Sequence, residues 1–371
     1  MVDRDRATGF EDLPDALVAD LLTAADSLGE QVWRQIGALV AMRPELRRKA
    51  RDSGLILARA DLDVVREPSV AAVDGSYQIH RLTSLDLCAA AAVAVEGSIR
   101  EERRKWDHPH HRLWLDAAAH SAETTNALRG VMVGMELDLA RSAPHDLVML
   151  DGAFSPLVIY LNQSRGARTG ASPALRSHLD DRWEVTTQSL LWALGGEKVV
   201  AVPKYATRNE LARALDEDPE RTDGKTLATA LLEAGEYTRP LPVYDSDPKY
   251  HLAGLEETAS SELDRGMRDI QVVYFRPYNW LPAIRVEIPG AQVRRAARLA
   301  LVLEGVARQL ITPAVFEPYP LFLADRMVKS LGVGVQVLEQ AISQRVLTDA
   351  GDAEETLLFL RQHRTEGGRG Y

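Results

Sequence analysis

The chain has 371 residues, 46% of them hydrophobic and 26% charged, and a formal net charge of −10. That length and balance fit a globular protein with a sizeable core, in one large domain or two ordinary ones. The acidic excess argues against a general nucleic-acid coat, which needs a basic surface, and leaves open an enzyme with a basic channel.

The longest apolar run, LCAAAAVAV at Leu87–Val95, falls well short of the ~20 residues that span a bilayer. The N-terminus, MVDRDRATGFEDL, is charged and lacks an apolar signal region, so no membrane association is expected. The single cysteine, Cys88, cannot form an internal disulfide. It reads as a small core residue in a reducing compartment, which predicts a cytoplasmic protein.

In the first sixty residues, PDALVADLLTAADSL and EQVWRQIGALVAM space apolar residues three and four apart and predict helices. SVAAVDG reads as a buried strand, SYQIHRLTSLDLCAAAAVAVEG as further strand material, and EERRKWDHPHHR as a polar connection. Ser121–Ala140 predicts a helix with Leu128, Met132, Met135 and Leu139 on one stripe, and HDLVMLDGAF returns to strand. Asn162–Asp181, rich in Gly, Ser and Arg, predicts a mobile loop. EVTTQSLLWAL predicts a helix leading into the strand KVVAVPK, and Thr207 with Glu210 forms a capping-box pattern. QVVYFRPYNWLPAIRVEIP reads as two strands around a turn, the last third as helices, and the tail HRTEGGRGY as disordered. Strands alternating with helices at this spacing predict an α/β architecture.

Two phosphate-binding look-alikes fail. In DGKT (Asp223–Thr226) the first glycine of a P-loop is replaced by Pro219, and GVGVQV (Gly332–Val337) lacks the third glycine of a dinucleotide fingerprint. His108, His110 and His111 have neither a cysteine partner nor helical spacing beside an acidic base, so they read as a polar loop. His80 reads as a strand residue. Ser76 in VDGS lacks the G-x-S-x-G context of a nucleophile.

Four carboxylates stand in unusual places. Asp74-Gly75 and Asp151-Gly152 each end an apolar run. Either step alone fits a hairpin turn, since Asp-Gly supplies the positive φ angles of type I′; the other reading is a pair of carboxylates at neighbouring strand ends. In either case each glycine would let the backbone turn sharply. Glu136 borders the apolar stripe of its helix, and Asp325 lies on what reads as the buried face of PYPLFLADRMVKSL. Gathered together, four such groups would repel. A pair of Mg²⁺ or Mn²⁺ ions, ~3.5–4 Å apart, resolves the conflict and suits phosphodiester hydrolysis.

An Asp on a strand, a Glu on a helix, a second Asp on a strand and a late acidic residue on a helix resemble the ligand order of ribonuclease-H-like nucleases. More narrowly, AAVDGS, MELDLA, VMLDGAF, VVAVPKYATRNEL, AIRVEIP and PYPLFLADRM follow one another as in the NurA nuclease family, from about Val70 to Ser330. The resemblance implies a ribonuclease-H-like mixed sheet flanked by helices. It also implies a Mn²⁺-dependent DNase (Mg²⁺ possible) with 5′→3′ exonuclease and single-strand endonuclease activity. Such a protein works as a homodimer beside a HerA-type hexameric ATPase that translocates DNA ends, in repair or defence.

Carried over by position, Asp74, Glu136 and Asp151 become metal ligands and Asp325 the fourth, where many relatives have histidine; Tyr319 lies beside the site. Lys204 reads equally as a phosphate contact that stabilises charge or as an exposed strand-end lysine. The expected organisation is a helical segment at 1–65 for packing or dimerisation, a nuclease domain at 66–345 with a polar loop near 162–181, and a C-terminal helix and tail at 346–371. Two rival readings remain: a non-catalytic adaptor of a translocase, and a related nuclease acting on RNA or RNA–DNA hybrids.

Overall fold

The computed structural model describes residues 13–63, 66–205, 208–217, 223–243 and 249–361. Thr207 of the expected capping box and the expected disordered tail lie outside them. The chain divides into two compact units after Gly54. In the first, the two predicted helical stretches are one 38-residue helix, α1 (Asp15–Asp52), which continues through Pro44. Leu21, Leu22, Leu28, Val32, Trp33, Ile36 and Val40 are exposed along it.

The second unit runs β1 (Ile56–Ala58), β2 (Val70–Arg81), β3 (Asp86–Glu96), β4 (His110–Ala118), α2 (Thr124–Ser142), β5 (Leu147–Asp151), α3 (Phe154–Ala167), α4 (Pro173–Gly195), β6 (Val199–Val202), α5 (Glu210–Ala214) and α6 (Gly224–Leu231). It continues with β7 (Glu236–Thr238), β8 (Leu241–Pro242), α7 (Glu257–Arg268), β9 (Gln271–Arg276), β10 (Ile284–Ile288), α8 (Gly290–Val293), α9 (Ala296–Arg308), α10 (Tyr319–Lys329), α11 (Leu331–Asp349) and α12 (Ala353–Leu360). Among the described residues the strands form one ten-stranded sheet, ordered β1-β7-β9-β10-β6-β5-β2-β3-β4, with β8 beside β9. β5 runs parallel to both β2 and β6, and the other pairings are antiparallel. The fold is a mixed α/β sheet flanked by helices, as expected.

Successive strand residues face opposite sides of a sheet, and β2 uses both. Val70 and Ala72 join Leu147, Met149, Val200, Val286 and Ile288 in a buried cluster closed by Leu299, Val302, Leu303 and Val306 of α9 and Leu321 of α10. Full burial of each Leu, Ile or Val contributes about 1.5–3 kcal/mol. The opposite side of β2 meets α2. Small residues permit this double coverage: β3 carries Ala89–Ala92 in succession, and α2 and α10 both pack on it.

Several sequence expectations change. β2 does not stop at Asp74-Gly75; it continues to Arg81 and pairs with β3 from Ala71↔Glu96 to Arg81↔Asp86. Asn162–Asp181 is not a loop. It is the end of α3, a short 3-10 turn (Arg168–Gly170) and the start of α4. Ser172 caps α4 by accepting from Leu175 N at 3.1 Å, with Pro173 in the first turn, which is a strong helix start. Asp180 ties the segment down by ion pairs to Arg165 and Arg168 at 3.0 and 2.7 Å.

His110 and His111 open β4, and the Trp106 ring stacks on His110 at 4.4 Å. DGKT is a capped helix start, with Asp223 accepting from Lys225 N and Thr226 N, and GVGVQV lies inside α11. Cys88 is buried, and burial pushes its thiol up to about 12, leaving it inert. Among the described residues no helix is long and apolar enough to cross a membrane.

Candidate metal centre

The register of the central strands brings the acidic residues together. β5 pairs with β2 from Val70↔Leu147 to Val73↔Leu150 and then ends at Asp151. One further step would set Asp74 opposite Asp151, and strands lie about 4.8 Å apart. Asp74 is therefore mid-strand, at the point where its parallel neighbour leaves. This corrects the expectation of two strand ends. Asp151 does end its strand: Gly152 follows at φ +85°, in the left-handed region that glycine tolerates.

Asp74 shares its face of β2 with Val70 and Ala72, toward α10, and there meets Asp325. One carboxylate oxygen from each of Asp74, Asp151 and Asp325 lies within 4.8 Å of the others. Oxygen ligands sit about 2.0–2.6 Å from Mg²⁺, Mn²⁺ or Ca²⁺, so three oxygens at this spacing fit around a common hard cation.

Glu136 reaches the cluster from α2. Gly75 makes this possible, because a Cβ there would come within 2.3 Å of Glu136 Oε1 and 2.7 Å of Met132 Cγ. Gly75 was expected to turn the chain. Instead it stays extended, and its missing side chain admits the glutamate. Glu136 is buried, and no hydrogen bond to its carboxyl occurs among the described residues. Burial first, then the charges of Asp74 and Asp151, raise its pKa well above the ordinary range. Burial and the Asp151 charge likewise push Asp74 up to about 7, against the opposing Gly75 N–H and Lys204.

Lys204, two residues beyond β6, supplies the cation held in common. Its Nζ lies 2.9 Å from Asp151 Oδ2, 3.2 Å from Glu317 Oε2 and 3.3 Å from Asp325 Oδ1. Burial works against its charge, yet these carboxylates hold it above the ordinary lysine range. A second lysine fixes this loop, with Lys225 Nζ donating to the Lys204 carbonyl at 2.8 Å. Asp325 also binds Lys329 at 2.8 Å. Burial pulls Asp325 upward, but Lys329 and Lys204 outweigh it and hold the pKa below the usual value.

Of the expected residues, Asp74, Asp151, Asp325 and Lys204 come together; Glu136 lies outside the three-oxygen group and approaches it over Gly75, near enough to feel the Asp74 and Asp151 charges. Tyr319 opens α10 on the same segment, and its contacts run elsewhere, to the Gln309 carbonyl at 2.7 Å and the Phe322 ring at 6.0 Å. Glu317 was not foreseen. It stands just before Pro318, outside any periodic stretch, and only its contact with Lys204 reveals it. Burial raises its pKa.

One more buried cluster supports the Asp151 turn. Glu287 Oε2 accepts from Phe154 N at 3.0 Å, at the first residue of α3. Glu287 Oε1 is held by Arg285 at 2.8 Å, and Arg285 also grips both oxygens of Glu210, at 2.8 and 3.0 Å.

A family model described as the NurA domain matches residues 68–330. Among solved structures, the NurA nuclease from Sulfolobus solfataricus superposes with a TM-score of 0.59 at 13% identity, over 91% of this chain and 99% of that one. A NurA structure with manganese superposes with a TM-score of 0.50 at 13% identity, over 88% of this chain and 99% of that one. NurA bound to dAMP and manganese gives 0.50 at 13%, over 90% and 99%. At such identities the structural likeness speaks for the fold alone. No curated protein sequence matches the chain. The family match spans most of the sheet unit and both Asp-Gly steps, and on that ground the chain belongs to the NurA family.

Proposed function

We propose that this protein is a divalent-metal-dependent DNA nuclease that uses Mn²⁺, with Mg²⁺ as an alternative. The observation that carries the reading is the convergence of Asp74, Asp151 and Asp325 oxygens within 4.8 Å, beside a buried Glu136. Family membership and the manganese and dAMP named for NurA structures support it.

Asp74, Asp151 and Asp325 would hold the metal, with Glu136 completing the set through the gap at Gly75. Bound there, divalent ions supply Lewis acidity that activates water and offsets charge on phosphate oxygens. Asp74, with a pKa of about 7, gives up its proton when a cation binds, because a ligand must be deprotonated. Asp325 is an ionised ligand where many relatives have histidine, and it holds charge without donating a proton. Lys204 orients Asp151 and Asp325 and offers its ammonium to a phosphate oxygen as charge develops.

The reading extends to 5′→3′ exonuclease and single-strand endonuclease activity, in a cytoplasmic homodimer partnered by a HerA-type hexameric ATPase, in repair or defence. Its support is family membership, together with the exposed apolar residues of α1, which suit a protein contact such as dimerisation.

The test is cleavage of end-labelled single-stranded DNA with Mn²⁺, Mg²⁺ or EDTA, beside Asp74→Ala. Cleavage should require metal and fall by more than about 100-fold in the variant, since even residues that only support metal ligands cost 10–100-fold. Metal-independent cleavage, or an active Asp74→Ala, would refute it. Inactivity of the wild type even with its translocase added would favour a non-catalytic adaptor.

A further inference from the structure

Two of the elements that deliver acidic residues, β2 and α2, join α3 in delivering a second group. Tyr77 lies three residues past Asp74 on β2, on the opposite side of the strand, where Gly75 meets α2. Arg129 lies seven residues before Glu136 on α2, two helical turns or about 10 Å away. Tyr160 lies on α3, which leaves the Asp151 turn. The Arg129 guanidinium sits over both rings, 5.9 Å from the Tyr77 centroid and 5.3 Å from that of Tyr160. All three side chains are half-buried.

Arg129 has no carboxylate within ion-pair distance among the described residues, although the protein is acidic overall. Among the described residues its one polar contact is a long one, Nη1 to Asn126 Oδ1 at 3.4 Å. The rings restrain the planar head without using its N–H donors, and a guanidinium so held matches two oxygens of a phosphate. Aromatic rings beside an arginine and next to a cleavage site also suit a single strand, whose bases are free to stack.

We infer that Arg129, held by Tyr77 and Tyr160, binds a backbone phosphate of single-stranded DNA next to the scissile position. This rests on the nuclease reading and adds a substrate-binding residue to it. Arg129 belongs to binding, and the carboxylates retain the metal.

The experiment compares wild type with Arg129→Gln. Binding of a 5′-fluorescein single-stranded oligonucleotide is followed by anisotropy in EDTA from low to high salt; Mn²⁺ affinity is read by calorimetry and cleavage kinetics at saturating Mn²⁺. Loss of one phosphate contact should weaken binding by about tenfold. It should also make the slope of log K against log salt shallower by about 0.7. KM should rise by a similar factor, with kcat and Mn²⁺ affinity near wild type.

A purely structural Arg129 would shift thermal stability and leave the salt slope and KM unchanged, and that result overturns the assignment. If Arg129→Gln does not fold, Arg129→Lys replaces it: the charge remains but the planar fork is lost, so affinity should fall at an unchanged slope. Wild-type affinity in Arg129→Lys would then overturn it. A wild type that neither binds nor cleaves DNA defeats the nuclease reading as well. A wild type that does both, with an indifferent Arg129→Gln, defeats this inference alone.

Discussion

The Arg285 cluster and the Asp74–Asp151–Asp325 cluster both gather ionisable side chains inside the sheet unit, and only the first is balanced. Arg285 is fully buried, yet each oxygen of Glu210 and Glu287 has a donor: Arg285 itself, Tyr274 Oη at 3.2 Å or Phe154 N. In the second cluster Asp151, Glu317 and Asp325 crowd around Lys204, with Asp74 and Glu136 beside them and Lys329 at the margin. Glu136 has no hydrogen bond among the described residues, and Asp74 is pushed to about 7. A protein that can satisfy buried carboxylates completely in one place has left another set under-compensated, and perturbed groups of that kind mark sites that take up a ligand. The two are also joined, because Glu287 caps the helix that follows Asp151.

The largest effect should come from breaking the balanced cluster. Arg285→Met leaves Glu210 and Glu287 buried without their cation, and losing one partner of such a network costs about 3–5 kcal/mol. Urea unfolding should report that loss of stability. A change below about 1 kcal/mol would mean that the two glutamates find other partners and that the contrast is weaker than drawn.

A smaller effect sharpens the role of Lys204. In Lys204→Met the shared cation disappears, so Asp151 and Asp325 lose a competitor for metal and a source of charge for the transition state. Mn²⁺ affinity by calorimetry should be equal or higher, while kcat falls about 10–100-fold, in the range of losing one electrostatic donor. Unchanged kcat would return Lys204 to a strand-end lysine. Loss of Mn²⁺ binding would show that its main work is to organise the carboxylates.

The contrast also explains which parts were legible in the sequence. Asp151 and Glu136 could be read because each interrupts an apolar pattern in a short window. Asp74 was singled out on a wrong local picture: Asp-Gly reads as a turn, whereas pairing with β3 carries the strand on to Arg81, as tertiary context overrides local preference. Gly75 was singled out for its φ freedom and serves through its missing Cβ.

Glu317 was invisible, since its meaning depends on a lysine more than a hundred residues away. Arg285 and Glu287 alternate with apolar residues in IRVEI, the pattern of a half-exposed strand. Only the covering elements turn them into a buried network. At Asn162–Asp181 composition outweighed the Ser172-Pro173 helix start, which was there to be read.

The smallest effect concerns protons. In EDTA, folded protein holds a proton on Asp74 up to about pH 7, whereas an unfolded aspartate releases it near 4. Between these values the folded state binds more protons, so this carboxyl's contribution to stability declines as pH rises and levels off above about 7. Glu136, also raised, acts in the same direction.

Other carboxylates oppose the trend. Asp146, held far below the ordinary range by Arg66, contributes stability above the unfolded pKa and loses it in acid. The total pH profile therefore mixes signs, and the informative quantity is a difference. Asp74→Asn should gain a few degrees of Tm over wild type between pH 4.5 and pH 7.5 in EDTA, by scanning fluorimetry. Mn²⁺ should shrink that gap by stabilising wild type more at pH 7.5 than at pH 4.5, because the metal displaces the proton. A constant difference across that range would mean that Asp74 is ionised throughout, and the under-compensation drawn from burial would fail at its central residue.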